Sequence, residues 1–119
     1  MTYVQGFLLA VPTANKAAYT EIAETAAKVF RAHGALSVVE TWGVSVPDGK
    51  VTSFPMAVKL KEDETVVFSW ITWPDKDTAD GSMEATMKEL DELMGGDMSK
   101  MPFDGMRMIW GGFEAIVEA

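Results

Sequence analysis

Along the chain, apolar residues alternate with a period of two in several stretches and recur at helical spacing in two others. From Tyr3 to Val11, Phe7, Leu9 and Val11 point one way, while Val4, Leu8 and Ala10 point the other. Both faces are apolar, as in a central strand, and Pro12 ends the run. Thr13 or Asn15 can then cap a helix in which Tyr19, Ile22, Ala23, Ala26, Val29 and Phe30 form one stripe. That helix is predicted to reach about His33, with Gly34 as its left-handed stop. Leu36 to Val46 reads as a second strand, with Leu36, Val38, Glu40, Trp42, Val44 and Val46 on one face.

Pro47-Asp48-Gly49-Lys50 is a turn signal, and Pro55 interrupts strand pairing. Val58 to Lys61 and Thr65 to Trp73 flank the acidic tip Glu62-Asp63-Glu64, which predicts a hairpin. In its second arm Phe68 and Trp70 face one way, and Val67, Ile71 and Trp73 the other. Pro74 closes it. Asp75, Asp77 and Asp80 are cap candidates for a second helix with a buried stripe of Met83, Met87, Leu90 and Met94, stopped by Gly95-Gly96. A Met-rich loop and the turn Pro102-Phe103-Asp104-Gly105 lead into a last strand, Met106 to about Val117. The order strand, helix, strand, strand, helix, strand is the ferredoxin-like split βαβ arrangement in an α+β fold, read as a single domain over residues 1–119.

This pattern leaves a surplus of apolar sheet. Two helices cover one face, yet the strands put large apolar groups on both. A four-stranded patch measures roughly 20 by 20 Å. Covering about 400 Å² is worth on the order of 10 kcal/mol before association costs. A second copy packed sheet to sheet about a two-fold axis would cover it, and a cavity between sheet and partner would then suit a small apolar or aromatic ligand. The competing expectation is that residues 47–61 fold over the open face and the chain stays monomeric.

Composition narrows the function classes. The chain has 119 residues and no cysteine, which removes disulfides, thiolate nucleophiles and thiolate-bound zinc. The net charge of −8 disfavours nucleic acid as a partner. No apolar run reaches membrane-spanning length, and the N-terminal stretch lacks a basic leader, so a cytoplasmic location is expected. A single histidine and no cysteine argue against structural zinc; no metal or cofactor is expected.

The segments TSFP, ETVVFSW and MPFDGMRMIWGGF, together with YVQGFLLAVP and RAHGAL, resemble the YbaA-like family, domain of unknown function 1428. The resemblance spans nearly the whole chain. It implies the dimeric α/β-barrel superfamily, whose ferredoxin-like subunits pair through their sheets. It implies no particular reaction, since that superfamily holds cofactor-free monooxygenases, isomerases and haem enzymes. The family's usual tyrosine after RMI stands here as Trp110, which keeps a ring and loses a hydroxyl.

Candidate chemistry is sparse. His33 could act as a base near neutral pH; its plainer role is at the end of the first helix, against terminal carbonyls. Arg107 and Glu40 are charges set in apolar strand sequence, where a charge needs a partner. Arg107 could hold an oxyanion, or form a structural ion pair with Glu40 or Asp104. Asp104 is read first as a turn residue and second, like Glu40, as a candidate catalytic carboxylate. Phe7, Trp42, Trp70 and Trp110 are candidates to line an apolar site, although aromatic rings more often fill cores and interfaces. Gly111-Gly112 opens no helix and so is no phosphate loop; a bulge or close backbone approach is expected there. Two functions are carried forward: a homodimeric small-molecule binding protein, and a cofactor-free monooxygenase or isomerase.

Overall fold

Ten uninterrupted residues rich in Val, Leu and aromatic side chains, Tyr3–Pro12, form strand β1, the centre of the sheet. The structure is a computed structural model that describes residues 2–95 and 101–119. After a single 3-10 turn come helix α1 (Lys16–Ala32) and strand β2 (Ser37–Trp42). A one-turn helix α2 (Phe54–Ala57) precedes strand β3 (Glu64–Trp73). Helix α3 (Lys76–Leu93) and strand β4 (Ile109–Glu114) complete the order. The strands make one antiparallel sheet in the order β2-β3-β1-β4, the ferredoxin-like topology.

Register decides what each face carries. Phe7 lies opposite Ser69 on one side and Trp110 on the other. Phe7, Leu9 and Val11 therefore share the helix-covered face with Val67, Ile71 and Trp73; the alternation grouped each set, and the pairing joins them. Leu9, Val11 and Val67 pack against Tyr19 of α1; Ile71 and Trp73 pack against Ala35 and against Ala79 of α3. Trp73 has no exposed surface, and its indole Nε1 donates to Gln5 Oε1 at 2.9 Å, so its one polar atom is satisfied. α1 ends at His33 with Gly34 at φ 110°, the left-handed stop. Of the three candidate caps for α3, Asp75 is used: Thr78 N donates to its Oδ1 at 2.7 Å. Gly95, at φ 74°, follows α3 as expected. Gly96 and the Met-rich loop around Met98 lie outside the described residues.

Four local expectations are corrected. β2 stops at Trp42, not Val46: Gly43 N makes one more bond to Val66 O and the chain then leaves the sheet, with Val44 93% exposed. Val58 to Lys61 is not a strand. Instead Pro55 sits in the first turn of α2, where its missing N–H costs nothing, and Ser53 Oγ accepts from Met56 N. β4 is shorter than Met106 to Val117, being preceded by a 3-10 turn over Gly105–Arg107. The methionine stripe of α3 is not buried: Ala79 and Thr86 make the close contact, and Met87 is 45% exposed. Small residues bring the start of α3 onto the sheet while the methionines stand off it.

Gly111-Gly112 sits inside β4 without a bulge, paired with Gly6 and Gln5. The close approach is real: a Cβ on Gly112 would collide with the Tyr3 ring.

The second face of the sheet carries Val4, Leu8, Phe68, Trp70, Ile109 and Phe113. The excursion between β2 and β3 covers one end of it. Val58 is buried there with Ala10 and Val66, Leu8 and Leu60 pack around them, and Phe54 meets Phe68 edge-on at 5.9 Å. The cover is incomplete, since Phe68 and Ile109 remain 42% exposed and Phe113 62%.

Candidate functional site

The stand-off of α3 opens a hollow of about 810 Å³ between the helices and the sheet. Its walls are Ile22, Ala26 and Phe30 of α1, Met87, Leu90 and Met94 of α3, and Phe103 and Met108 on the approach to β4. A deeper recess of about 120 Å³ continues down to Phe7, Val38, Ser69 and Ile71 of the sheet. A third hollow of about 370 Å³ opens on the flank toward Lys16 and Trp42. Tyr19, Ala23 and Glu40 line all three.

Glu40 is placed there by alternation. β2 is an edge strand, and its positions 38, 40 and 42 face the helices. Tyr19 comes down from the first turn of α1 and donates its hydroxyl hydrogen to the carboxylate, with Oη 2.8 Å from Oε1 and 3.2 Å from Oε2. The Tyr19 ring is fixed in turn by the edge-on ring of Phe103 at 5.7 Å. Among the described residues, no Lys, Arg or His nitrogen lies within 4 Å of Glu40. Desolvation by the apolar walls pushes the Glu40 carboxyl above the usual carboxylate range, although hydrogen bonds from Tyr19 and Ser69 pull the other way. Burial also pushes the Tyr19 phenol up, and the adjacent carboxylate adds to that. The pair therefore acts as a hydrogen-bonded acceptor site: the phenol keeps its proton, and the carboxylate has lone pairs to spare.

The other candidates lie apart from this centre. Phe7 lines the recess, and Trp42 lines the flank with Lys16 Nζ 5.6 Å from its ring centre. Trp70 is on the opposite face, against Phe68 at 5.2 Å. Trp110 is opposite Phe7 on the outer strand, beyond the reach of the helices, and is 71% exposed. His33 Nε2 is 2.8 Å from Glu89 Oε2, tying the end of α1 to α3.

Arg107 forms a latch. Its Nη1 donates to the carbonyls of Val58 and Lys59 at 3.3 and 3.0 Å and to Glu64 Oε1 at 2.8 Å. Its Nη2 meets Glu64 Oε2 at 2.6 Å, and its Nε donates to Asp104 Oδ2 at 3.0 Å. The fork is spent on structure, with Asp104 as one expected partner and Glu64, rather than Glu40, as the main one. The two carboxylates raise the guanidinium's affinity for its proton, Glu64 more than Asp104. Reciprocally, the Arg107 hydrogen bond holds Glu64 below the usual carboxylate range. A carboxylate depressed in the folded state stabilises above its unfolded pKa, and that stabilisation is lost as pH falls through the folded value. We expect Glu64→Gln to lower the urea midpoint at neutral pH, and the gap to the parent protein to close as the pH falls through Glu64's depressed value. Urea melts at a series of pH values check this.

Sequence reasoning identified Glu40 and missed Tyr19 as its partner. The signal was present, since Tyr19 is the one residue of the α1 stripe with a polar tip. Among the described residues, no group of three or more His, Asp or Glu is placed to hold a metal ion, and no helix is long and apolar enough to cross a membrane.

Residues 2–105 match the family model described as "Protein of unknown function (DUF1428)". The chain is 52% identical over 118 residues to the uncharacterized protein YbaA of Escherichia coli strain K12, covering 99% of each chain. The YbaA protein of Shigella flexneri matches equally, at 52% over 118 residues and 99% of each. Among solved structures, a dimeric ferredoxin-like protein from an uncultured marine organism superposes with a TM-score of 0.57 at 12% identity, over 100% of both chains. That likeness is one of fold.

Proposed function

The chain belongs to the DUF1428 family, and on that footing we propose that it is a homodimer that binds a small apolar or aromatic molecule in the hollow between its helices and its sheet. One observation carries the ligand reading. About 810 Å³ of space is walled mostly by Ile, Leu, Met and Phe side chains, with the Tyr19-bonded Glu40 carboxylate in its lining and Lys88 and Asp91 as its other charged residues. Ligand sites have this size and makeup: apolar walls with a few placed polar groups that fix orientation. The sequence alone pointed to a cavity between sheet and partner; this reading moves it to the helix side and leaves the open sheet face for the second copy. The incompletely covered face carrying Phe68, Ile109 and Phe113 supports the dimer, as does the dimeric state of a protein with the same fold.

The test is calorimetric titration with phenylbutanol. Saturable binding of one molecule per chain is expected, weakened at least about tenfold in Ala26→Phe, which fills the hollow from α1. Absence of binding, or binding indifferent to Ala26→Phe, overturns the reading.

The Glu40 carboxyl favours one second reading, a cofactor-free isomerase. A carboxylate whose proton affinity is raised, set among apolar walls, suits proton abstraction from carbon beside a carbonyl. Such an enzyme would exchange that hydrogen with deuterium from the solvent, and Glu40→Gln would abolish the exchange.

A further inference from the structure

Among the described residues, no cationic side chain pairs with the Glu40 carboxylate in the hollow. Glu40 is ionisable, partly desolvated, and hydrogen-bonded by Tyr19, a neutral donor. A carboxylate has about four lone-pair positions, and the hydrogen bonds from Tyr19 and Ser69 leave part of that capacity open. Glu40 is exposed to solvent between walls that are otherwise apolar, so a cationic partner with an apolar body gains by displacing water from the carboxylate as it binds. Among the described residues, the charged groups facing the same space do not supply one. Lys16 and Glu24 of α1 line the flank, with Lys16 over the Trp42 ring, and Lys88 and Asp91 of α3 line the wider hollow with opposite signs. The net charge of −8 adds a field that attracts cations and repels anions.

We propose that the hollow selects apolar amines, with the ligand's ammonium donating to the Glu40 carboxylate beside the Tyr19 hydroxyl and its apolar body lying among Ile22, Phe30, Met87 and Met108. This rests on the reading of the hollow as a ligand site. The methionines suit it, since unbranched thioethers adapt to ligand shape and leave the head group to set selectivity. A carboxylic acid of the same body would bring like charge to Glu40 and is excluded. An alcohol can donate one hydrogen bond without charge and falls between.

Three matched probes test this by calorimetry on the full chain: phenylbutylamine, phenylbutanol and phenylbutanoate. The amine is expected to bind at least about tenfold more tightly than the alcohol, and the acid more weakly than both. In Glu40→Gln the ratio of amine to alcohol affinity falls to about one. A second measurement needs no variant. The amine, with a pKa near that of lysine at about 10.4, stays charged on acidification. Its affinity therefore drops as Glu40 takes up a proton, while that of the alcohol holds. Equal affinity for amine and alcohol in the parent protein, an amine preference that survives Glu40→Gln, or an acid that binds as well as the amine overturns the inference. If phenylbutanol binds, and binding is sensitive to Ala26→Phe, the ligand site survives that failure. If none of the three probes binds, the site and the inference fall together.

Discussion

Replacing Trp73 by alanine is expected to cost about 3–5 kcal/mol of stability, the range for removing a large buried aromatic. Trp73 has no exposed surface and sits where β3, α1 and α3 meet, against Phe30, Ile71 and Ala79. Its removal leaves a cavity that neighbours held by regular sheet and helix cannot close. It also leaves Gln5 Oε1 without the indole donor. Natural domains have only about 5–15 kcal/mol to lose, so a large part of the protein's stability should go. Trp73→Phe should cost less, because most of the ring volume stays. Urea denaturation followed by far-UV circular dichroism measures both. A loss below about 1 kcal/mol for Trp73→Ala would show that this region is looser than its packing suggests.

The second large effect concerns assembly. A charge placed on the bare sheet face should dissolve a sheet-to-sheet dimer while leaving the fold intact. Phe113 is 62% exposed, with its ring lying over the facing pair Gly6 and Gly111, so Phe113→Glu removes the cover of those two glycines and no buried side chain. The parent protein is expected to show twice the 13.0 kDa chain mass in solution at micromolar concentration, and the variant one chain mass. Two glutamates would be desolvated per dimer with no partner, a penalty of several kcal/mol each. Analytical ultracentrifugation decides it. A parent protein that runs as a single chain, or a Phe113→Glu variant that stays paired, would locate the self-association elsewhere or remove it.

Much of the fold could be read from alternation. In β1 and β3 the period alone separated two sets of side chains, Phe7, Leu9 and Val11 from Val4, Leu8 and Ala10, and Val67, Ile71 and Trp73 from Phe68 and Trp70; with both faces apolar, only the strand pairing shows which sets share a side. The strand-helix order did the rest. Failures fall where one local signal has two physical meanings. Pro55 breaks a strand and also starts a helix, and only the Ser53 cap separates the two. Val44 and Val46 continue the period of β2, but a strand needs a partner, and pairing with β3 ends near Gly43. The methionines of α3 have core spacing, yet whether a stripe reaches the sheet depends on how far the helix stands from it, and it is Ala79, packed with Ile71 and Trp73, that brings the start of α3 close.

The site was legible only in part for the same reason. Glu40 was conspicuous as a charge in an apolar strand. Its partner could be found only by knowing which turn of α1 crosses β2. Arg107 was equally conspicuous and proved to serve structure, because its partner Glu64 lies 43 residues away in the chain, at the start of a strand that looked like a solvated hairpin tip.

The Arg107 latch bears on how the molecule breathes. One side chain holds the backbone of the excursion at Val58 and Lys59, the first residue of β3 and the turn before β4. Segments far apart in the chain therefore cannot loosen independently. Amide protons from Phe54 to Leu60 and those of the Gly105–Arg107 turn should exchange with solvent as one cooperative unit. Because that unit roofs one end of the bare sheet face, its opening would widen the apolar surface offered to a second copy.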